Sequence, residues 1–305
     1  MIEDGVAVGV TVTASAGTSG QSPARDLRAS RAVVLCAGAL RTPQLLMLSG
    51  IGPAGHLREL GVPVVADSPS VGTNLHDHPV LTIAWPLLDA GSLRDSLYAD
   101  PRTVYQLLRR GPLSALGQSV AVTRSSPDVS APDLHMILFP LGEDAGGPPT
   151  PIPMVACALA LLTPESRGTV RLASSDPAAD PLIDPGYLRS VADRARLRLG
   201  LERMQELFDA PALANIIGPR LAPPRDGDHD SIDEFISENL ATYWHPVGTA
   251  RMGDSTAVLD PSLAVRGVSQ LVVADASVMP RIPAATIQAP IIAIAELAAR
   301  TLATR

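Results

Sequence analysis

Residues 32–50 read Ala32-Val33-Val34-Leu35-Cys36-Ala37-Gly38-Ala39-Leu40-Arg41-Thr42-Pro43-Gln44-Leu45-Leu46-Met47-Leu48-Ser49-Gly50, and their order decides the fold class. Ala32–Cys36 is a continuous apolar run, which predicts a buried strand. The small residues Ala37-Gly38-Ala39 close it with a turn. Thr42 fits an N-cap and Pro43 the first turn of a helix, which Gln44–Leu48 continues until Ser49-Gly50 stops it. A strand, a glycine turn and a helix N-terminus make a local place for a phosphate or another backbone. Many α/β proteins contain such a unit.

Outward from this stretch the pattern changes twice. Before it, Val6–Ala14 alternates and is β-branched, so a strand is predicted, followed by a polar loop from Ser15 to Ser22 closed by Pro23. Beyond Val71, short alternating runs mix with Pro-rich loops such as Gly142–Pro153. Gly168–Leu172 reads as a strand, and Leu188–Phe208 and Asp230–Leu240 as amphipathic helices. Strands grouped with few helices between them predict an antiparallel sheet with helices on one side. Leu271–Asp275 is again a buried strand, and Ala289–Leu302 a closing apolar helix.

Bulk composition removes whole classes. The 305 residues, 46% hydrophobic, suffice for a large core or two domains. A net charge of −7 gives no basic footprint for nucleic acid. All basic residues are arginine, which excludes a Walker-type phosphate loop, kinases and Schiff-base chemistry on lysine. The longest apolar runs, Pro153–Leu162 and Ala284–Ala295, are too short or interrupted for a transmembrane segment. The acidic Met1-Ile2-Glu3-Asp4 lacks a secretory layout, so a cytoplasmic location is expected. Cys36 and Cys157 lie in apolar runs and read as buried free thiols.

Three sets of residues invite a chemical reading. His76-Asp77-His78 is the tightest polar cluster, yet it lacks the further ligands of a metal site, so a hydrogen-bonded loop before Pro79 is expected and no metal is assigned. Ser49 lacks the upstream glycine of a nucleophile elbow and reads as a helix-ending turn. His245 follows Tyr243 and Trp244 and precedes Pro246-Val247-Gly248-Thr249. In apolar surroundings such an imidazole is a base near neutral pH; a packed core histidine is the alternative.

Five ordered motifs together resemble the glucose–methanol–choline (GMC) oxidoreductase family. They are Gly38–Gly52, Val71–Pro79, Pro164–Val170, Trp244–Thr249 and Asp275–Pro280. The resemblance implies an FAD-dependent enzyme that oxidises a small-molecule alcohol, like choline dehydrogenase, passing hydride to flavin N5. It matches His245 to the family's catalytic base and Gln288 to its second catalytic position, where Asn or His is usual. Glutamine carries the same amide on a longer arm, and Thr286 is placed to add a hydrogen bond. Cofactor contacts are implied for Gly38, Ala39, Asn74, Asp275, Ala276, Ala289 and Pro290, the last two opening the final helix.

The implied fold is α/β plus α+β. Residues 1–79 and 254–305 form part of a doubly wound FAD-binding domain, and 80–253 an antiparallel-sheet substrate domain. The family's opening strand, Gly-x-Gly-x-x-Gly turn and helix is not recognised as a unit. The glycine spacing itself occurs once, at Gly50–Gly55, after the helix predicted over Gln44–Leu48 and not after a strand, and Met1 aligns where the family's sequence is already under way. The expectation is an FAD-dependent alcohol oxidoreductase present as a C-terminal portion. The rival expectation is an inactive truncated remnant, or a subunit needing a separate N-terminal flavin-binding half.

Overall fold

The computed structural model describes residues 1–13, 24–88, 105–107, 109, 119–141, 154–213, 215–222 and 228–303. The loops expected at 15–22 and 142–153 lie outside the described residues. Two compact units are built from interleaved segments. The first comprises Met1–Asp77, Ser166–Arg189 and Trp244–Arg305, the second His78–Glu165 and Ser190–Tyr243. Segments 166–189 and 244–253 thus join the first unit rather than the 80–253 block drawn from sequence.

In the first unit, strands pair two by two. β1 (Ile2–Glu3) and β2 (Val6–Ala7) are antiparallel, as are β3 (Gly9–Val12) and β4 (Arg25–Arg28). The alternating run at 6–14 therefore breaks at Val8. There the chain changes partner: the Val8 N–H donates to Met1 O at 3.1 Å, and its carbonyl accepts from Ala29 N–H at 2.8 Å. β5 (Val33–Leu35) leads into helix α1 (Gly38–Leu48), then β6 (Ile51–Gly52), helix α2 (Ala54–Glu59) and β7 (Ala66–Asp67). β6 and β7 are parallel. β5 pairs in parallel with the far-removed Leu271–Val273, Val34 opposite Val272. Leu46, Met47, Ile51 and Leu57 are fully buried in a core shared with Val258, Leu259, Val273 and Val278. Apolar residues of α1 thus close on those around the 271–273 strand, as the β–turn–α reading requires.

Two expectations from that reading change. β5 is only partly covered: Val33 is buried but Val34 is 40% exposed, and Cys36 is exposed rather than buried. Among the described residues β5 has a single strand partner, so alternate side chains face outward. The helix also starts earlier, at Gly38, with Thr42 and Pro43 inside it rather than at its N-cap. A proline at 43 has no N–H for the Ala39 carbonyl. That carbonyl instead accepts the Thr249 hydroxyl at 2.6 Å, fully buried. A side chain distant in sequence thus completes the helix.

The second unit is one antiparallel sheet. It contains β8 (Pro79–Pro86), β9 (Ser119–Thr123), β10 (Leu134–Leu141) and β11 (Met154–Leu161). β12 (Thr169–Arg171) and β13 (Leu182–Asp184) form a hairpin of the first unit, and β14 (Ala241–Thr242) returns to the sheet, whose order is β14-β8-β11-β10-β9. β15 is the Leu271–Val273 strand already described. Helix α3 (Val191–Phe208) begins at the Ser190 N-cap, three residues later than its periodicity predicts, because Leu188 takes a left-handed φ of 59°. It buries Leu197, Leu201, Met204 and Phe208. Trp85 and Phe208 stack with ring centroids 3.7 Å apart. Arg196 ties α3 to the sheet, reaching Asp193 at 2.6 Å and Asp133 at 3.8 Å, two carboxylates that are each 1% exposed. Cys157 is buried on β11, and burial pushes its thiol up to about 12, so it stays protonated. Helix α4 (His229–Asn239) is capped by Asp228, and helix α5 (Gln288–Ala303) closes the chain.

The α1 repair gives a direct test. Thr249→Val keeps the shape and removes the hydroxyl, so unfolding free energy falls by about 1–3 kcal/mol, the cost of an unsatisfied buried carbonyl. Thr249→Ser restores most of it. Urea unfolding of the two variants measures both values.

Candidate active site

The loop linking β7 to β8 is where the predicted site residues begin to converge. Asn74 adopts a left-handed φ of 60°. Its side-chain amide donates to Gly248 O at 3.2 Å and Pro280 O at 3.3 Å, and its Oδ1 accepts from Arg167 Nε at 3.1 Å. Leu75 exchanges backbone hydrogen bonds with Gly168, and His76 with Val247. The His76 ring is used at both ends: Nδ1 lies 2.6 Å from Asn74 O and Nε2 2.8 Å from Ile282 N. A carbonyl only accepts and a backbone N–H only donates, so the proton sits on Nδ1. Asp77 accepts the His245 backbone N–H at 2.9 Å and the Tyr187 hydroxyl at 2.9 Å. Residues 74–77 are a strap that joins three distant segments.

Gly248 shows how close the packing is. With φ 95°, a Cβ added there would lie 2.6 Å from Asn74 O and 2.7 Å from the His76 ring. Only glycine fits. Its N–H donates to Ala276 O at 3.2 Å, which brings in the Asp275–Ala276 turn. Asp275 is 5% exposed and satisfied by four donors: Gly38 N–H at 2.9 Å, the Thr42 hydroxyl at 2.6 Å, and Ser277 N–H and hydroxyl at 2.8 and 2.5 Å. At this helix start, read from sequence as a place for a phosphate or another backbone, the Gly38 amide is already paired with a carboxylate. What Gly38 leaves open is its Cα: at φ 78°, no atom stands within 4 Å of where a Cβ would be.

Five predicted cofactor residues, Gly38, Ala39, Asn74, Asp275 and Ala276, are thus linked through Gly248 and Thr249. The remaining two, Ala289 and Pro290, lie in the first turn of α5, which Gln288 opens. Ile287, buried just ahead of it, packs with Val247, Ala276, Met279 and Ile282. His245 is half-buried, at the end of a strained turn whose Trp244 has φ 57° and is 78% exposed. A bulky residue in that conformation costs on the order of 1–3 kcal/mol and persists only where its surroundings fix it. Sequence reasoning missed Asp77 as a backbone anchor, and it missed Thr42, Thr249, Arg167 and Tyr187. Pro43 inside the apolar run was the one available signal, since it demands a substitute donor.

Burial pulls the His76 imidazole down from the ordinary 6.5 to about 4, and the Arg167 guanidinium adds to this. With both nitrogens committed to protein partners, His76 has no lone pair for a metal. The His76-Asp77-His78 cluster is the hydrogen-bonded loop that its position before Pro79 suggests.

Two family models, both described as GMC oxidoreductase, match residues 1–80 and 164–295. The chain belongs to the GMC oxidoreductase family. A GMC-type oxidoreductase of Mycobacterium bovis is 40% identical over 288 residues, 90% of this chain and 53% of that protein. An alcohol dehydrogenase (acceptor) of Pseudomonas putida is 37% identical, over 88% of this chain and 50% of that protein. An oxygen-dependent choline dehydrogenase of Rhizobium johnstonii is 33% identical, over 98% and 55%. Among solved structures, formate oxidase of Aspergillus oryzae RIB40 superposes with TM-score 0.86 at 28% identity, covering all of this chain and 59% of that one. Pyridoxine 4-oxidase of Mesorbium loti gives 0.81 at 29%, covering all of this chain and 56% of that one. The chain spans about half the length of the curated relatives it matches. FAD is the cofactor of this family, and no helix among the described residues is long and apolar enough to cross a membrane.

The buried neutral His76 predicts a pH profile of stability. Its folded pKa lies below the unfolded value, so between about pH 6.5 and 4 the unfolded chain binds more protons and stability is lost as the pH is lowered, by up to about 3 kcal/mol. His56 and His135, also lowered by burial, act in the same direction. Urea unfolding across this range shows the slope, and His76→Gln flattens it. A flat profile in the unaltered chain contradicts a neutral buried imidazole.

Proposed function

We propose that this chain carries the catalytic half of an FAD-dependent oxidoreductase acting on a CH–OH donor, with the first unit holding flavin and the second binding substrate. The observation that carries this reading is the hydrogen-bonded convergence of Gly38, Ala39, Asn74, Asp275 and Ala276 on the segment that ends at His245. Bound FAD supplies the hydride acceptor. The residues present fit it. Gly38 offers a bare Cα against which a flat group can lie. Among the described residues, the Asn74 N–H has no protein acceptor. The first-turn amides of α5, at Gln288 and Ala289, form a positive helix end suited to a negatively charged ring edge.

His245 takes the hydroxyl proton of the substrate. An alkoxide releases hydride far more readily than an alcohol, so a base held beside the hydroxyl is the chemical need. Gln288, exposed at the first residue of α5, offers an amide to the substrate oxygen in place of Asn or His. It orients the oxygen without sharing the proton. The substrate is a small alcohol.

The surface of α5 supports a complementary flavin-binding half. The helix is apolar, yet Ala298 is its only buried residue; Ile292 is 56% and Leu297 63% exposed. Val34 on β5 and Cys36 just after it are exposed as well, and exposed apolar residues of this kind suit an interaction. The same exposure favours a second reading, an inactive remnant that nothing covers.

One experiment separates them: the chain is produced alone and together with the N-terminal half of the M. bovis relative. Co-purification with visible flavin absorbance that an alcohol bleaches without oxygen is the expected result. His245→Ala then retains flavin and bleaches about 10²–10⁴-fold more slowly. Flavin absent from both preparations overturns the proposal in favour of the remnant.

A further inference from the structure

We infer that Asp77 is the positioning residue for His245, acting by gripping the backbone of the strained turn that carries the base; this rests on the reading of His245 as that base. The turn runs from Tyr243 to Val247. Trp244, within it, is left-handed at φ 57°, and the residue is 78% exposed, so burial contributes little to holding this conformation. Hydrogen bonds hold it. The next amide, His245 N–H, is received by Asp77 Oδ1 at 2.9 Å. Two residues on, Val247 exchanges backbone hydrogen bonds with His76 at 3.2 and 2.9 Å. Adjacent residues of the strap thus grip the turn on both sides of Pro246, and the imidazole is carried by a segment with little freedom left.

Asp77 is itself held. Its carboxylate is 5% exposed, and its second oxygen takes the Tyr187 hydroxyl at 2.9 Å. Tyr187 follows β13, in the segment that Leu75 pins through its paired hydrogen bonds to Gly168 at 3.1 and 2.7 Å. A buried carboxylate loses stability with each donor taken from it. The His245 N–H and the Tyr187 hydroxyl each engage one of its oxygens, which sets its orientation and where His245 N–H points. Asp77 donates no proton and touches no substrate in this scheme. Its effect falls on the placement of the base, where an error of about 1 Å costs on the order of 10² in rate.

The test combines a local structural readout with a kinetic one, on Asp77→Asn, Asp77→Ala and Tyr187→Phe in the flavin-loaded complex. Asp77→Ala is expected to speed amide exchange at His245 at least about 10-fold, and to lower kcat about 10²-fold with KM little changed. Asp77→Asn keeps an acceptor oxygen and restores most of both, while Tyr187→Phe gives a smaller change in the same two quantities. Should Asp77→Ala fail to fold, the asparagine and phenylalanine variants carry the comparison. Unchanged exchange at His245, or a loss that appears only in KM, overturns the assignment. His245→Ala is measured alongside: full activity there refutes the base reading, whereas a loss there with intact exchange and kcat in the Asp77 series refutes only the positioning role.

Discussion

The strap of residues 74–77 is the constraint on which the arrangement of the first unit depends. In four residues it engages the 166–189 segment through Leu75 and Asp77, the 244–248 turn through His76 and Asp77, and the 280–282 loop through Asn74 and the His76 ring. None of these segments is near another in sequence. The strap gives each a partner by hydrogen bonds that are mostly part-buried, and for a buried group an unmade bond costs more than a made one returns. Loss of one member therefore leaves several unsatisfied groups, and the segments are held together or released together.

The same logic explains the α1 helix. A proline at its sixth residue should break it, and the chain accommodates Pro43 by lending the Thr249 hydroxyl to the orphaned Ala39 carbonyl. Thr249 is the residue after Gly248, whose missing side chain lets the His76 ring approach. One dipeptide thus serves the helix with its hydroxyl and the strap with its empty space. Asp275 adds a third link, closing the start of α1 through Gly38 and Thr42.

Much of this fold was legible before any coordinates. Continuous apolar runs marked β5 and β15, helical spacing marked α3 and α4, and apolar composition marked α5, because such elements are selected by burial, which leaves a trace in the sequence. The linked group Gly38, Ala39, Asn74, Asp275 and Ala276 was singled out only through resemblance, since their spacing in sequence is irregular. What escaped has a common cause. Thr249 to Ala39, Asp77 to His245 and Tyr187 to Asp77 are single hydrogen bonds across 210, 168 and 110 residues. One polar contact between distant positions leaves no periodic mark. The exposure of Cys36 escaped for another reason: a run of apolar residues says that a strand prefers cover, not that cover is present.

Charge at the start of α1 refines what that end of the helix can do. A lysine-free chain must meet phosphate charge with arginine or backbone amides, and the glycine turn before a helix looked like the place. Asp275 already takes the Gly38 amide and holds a carboxylate at the helix's positive end. A second anion on that amide would face a like charge at close range and displace a buried, fully satisfied group. The opening at Gly38 is instead steric: a backbone with nothing beside its Cα, turned so that a side chain would be strained. Such a surface suits close contact with the uncharged face of a cofactor. One buried carboxylate thus makes the Gly38 amide a poor receptor for a second anion.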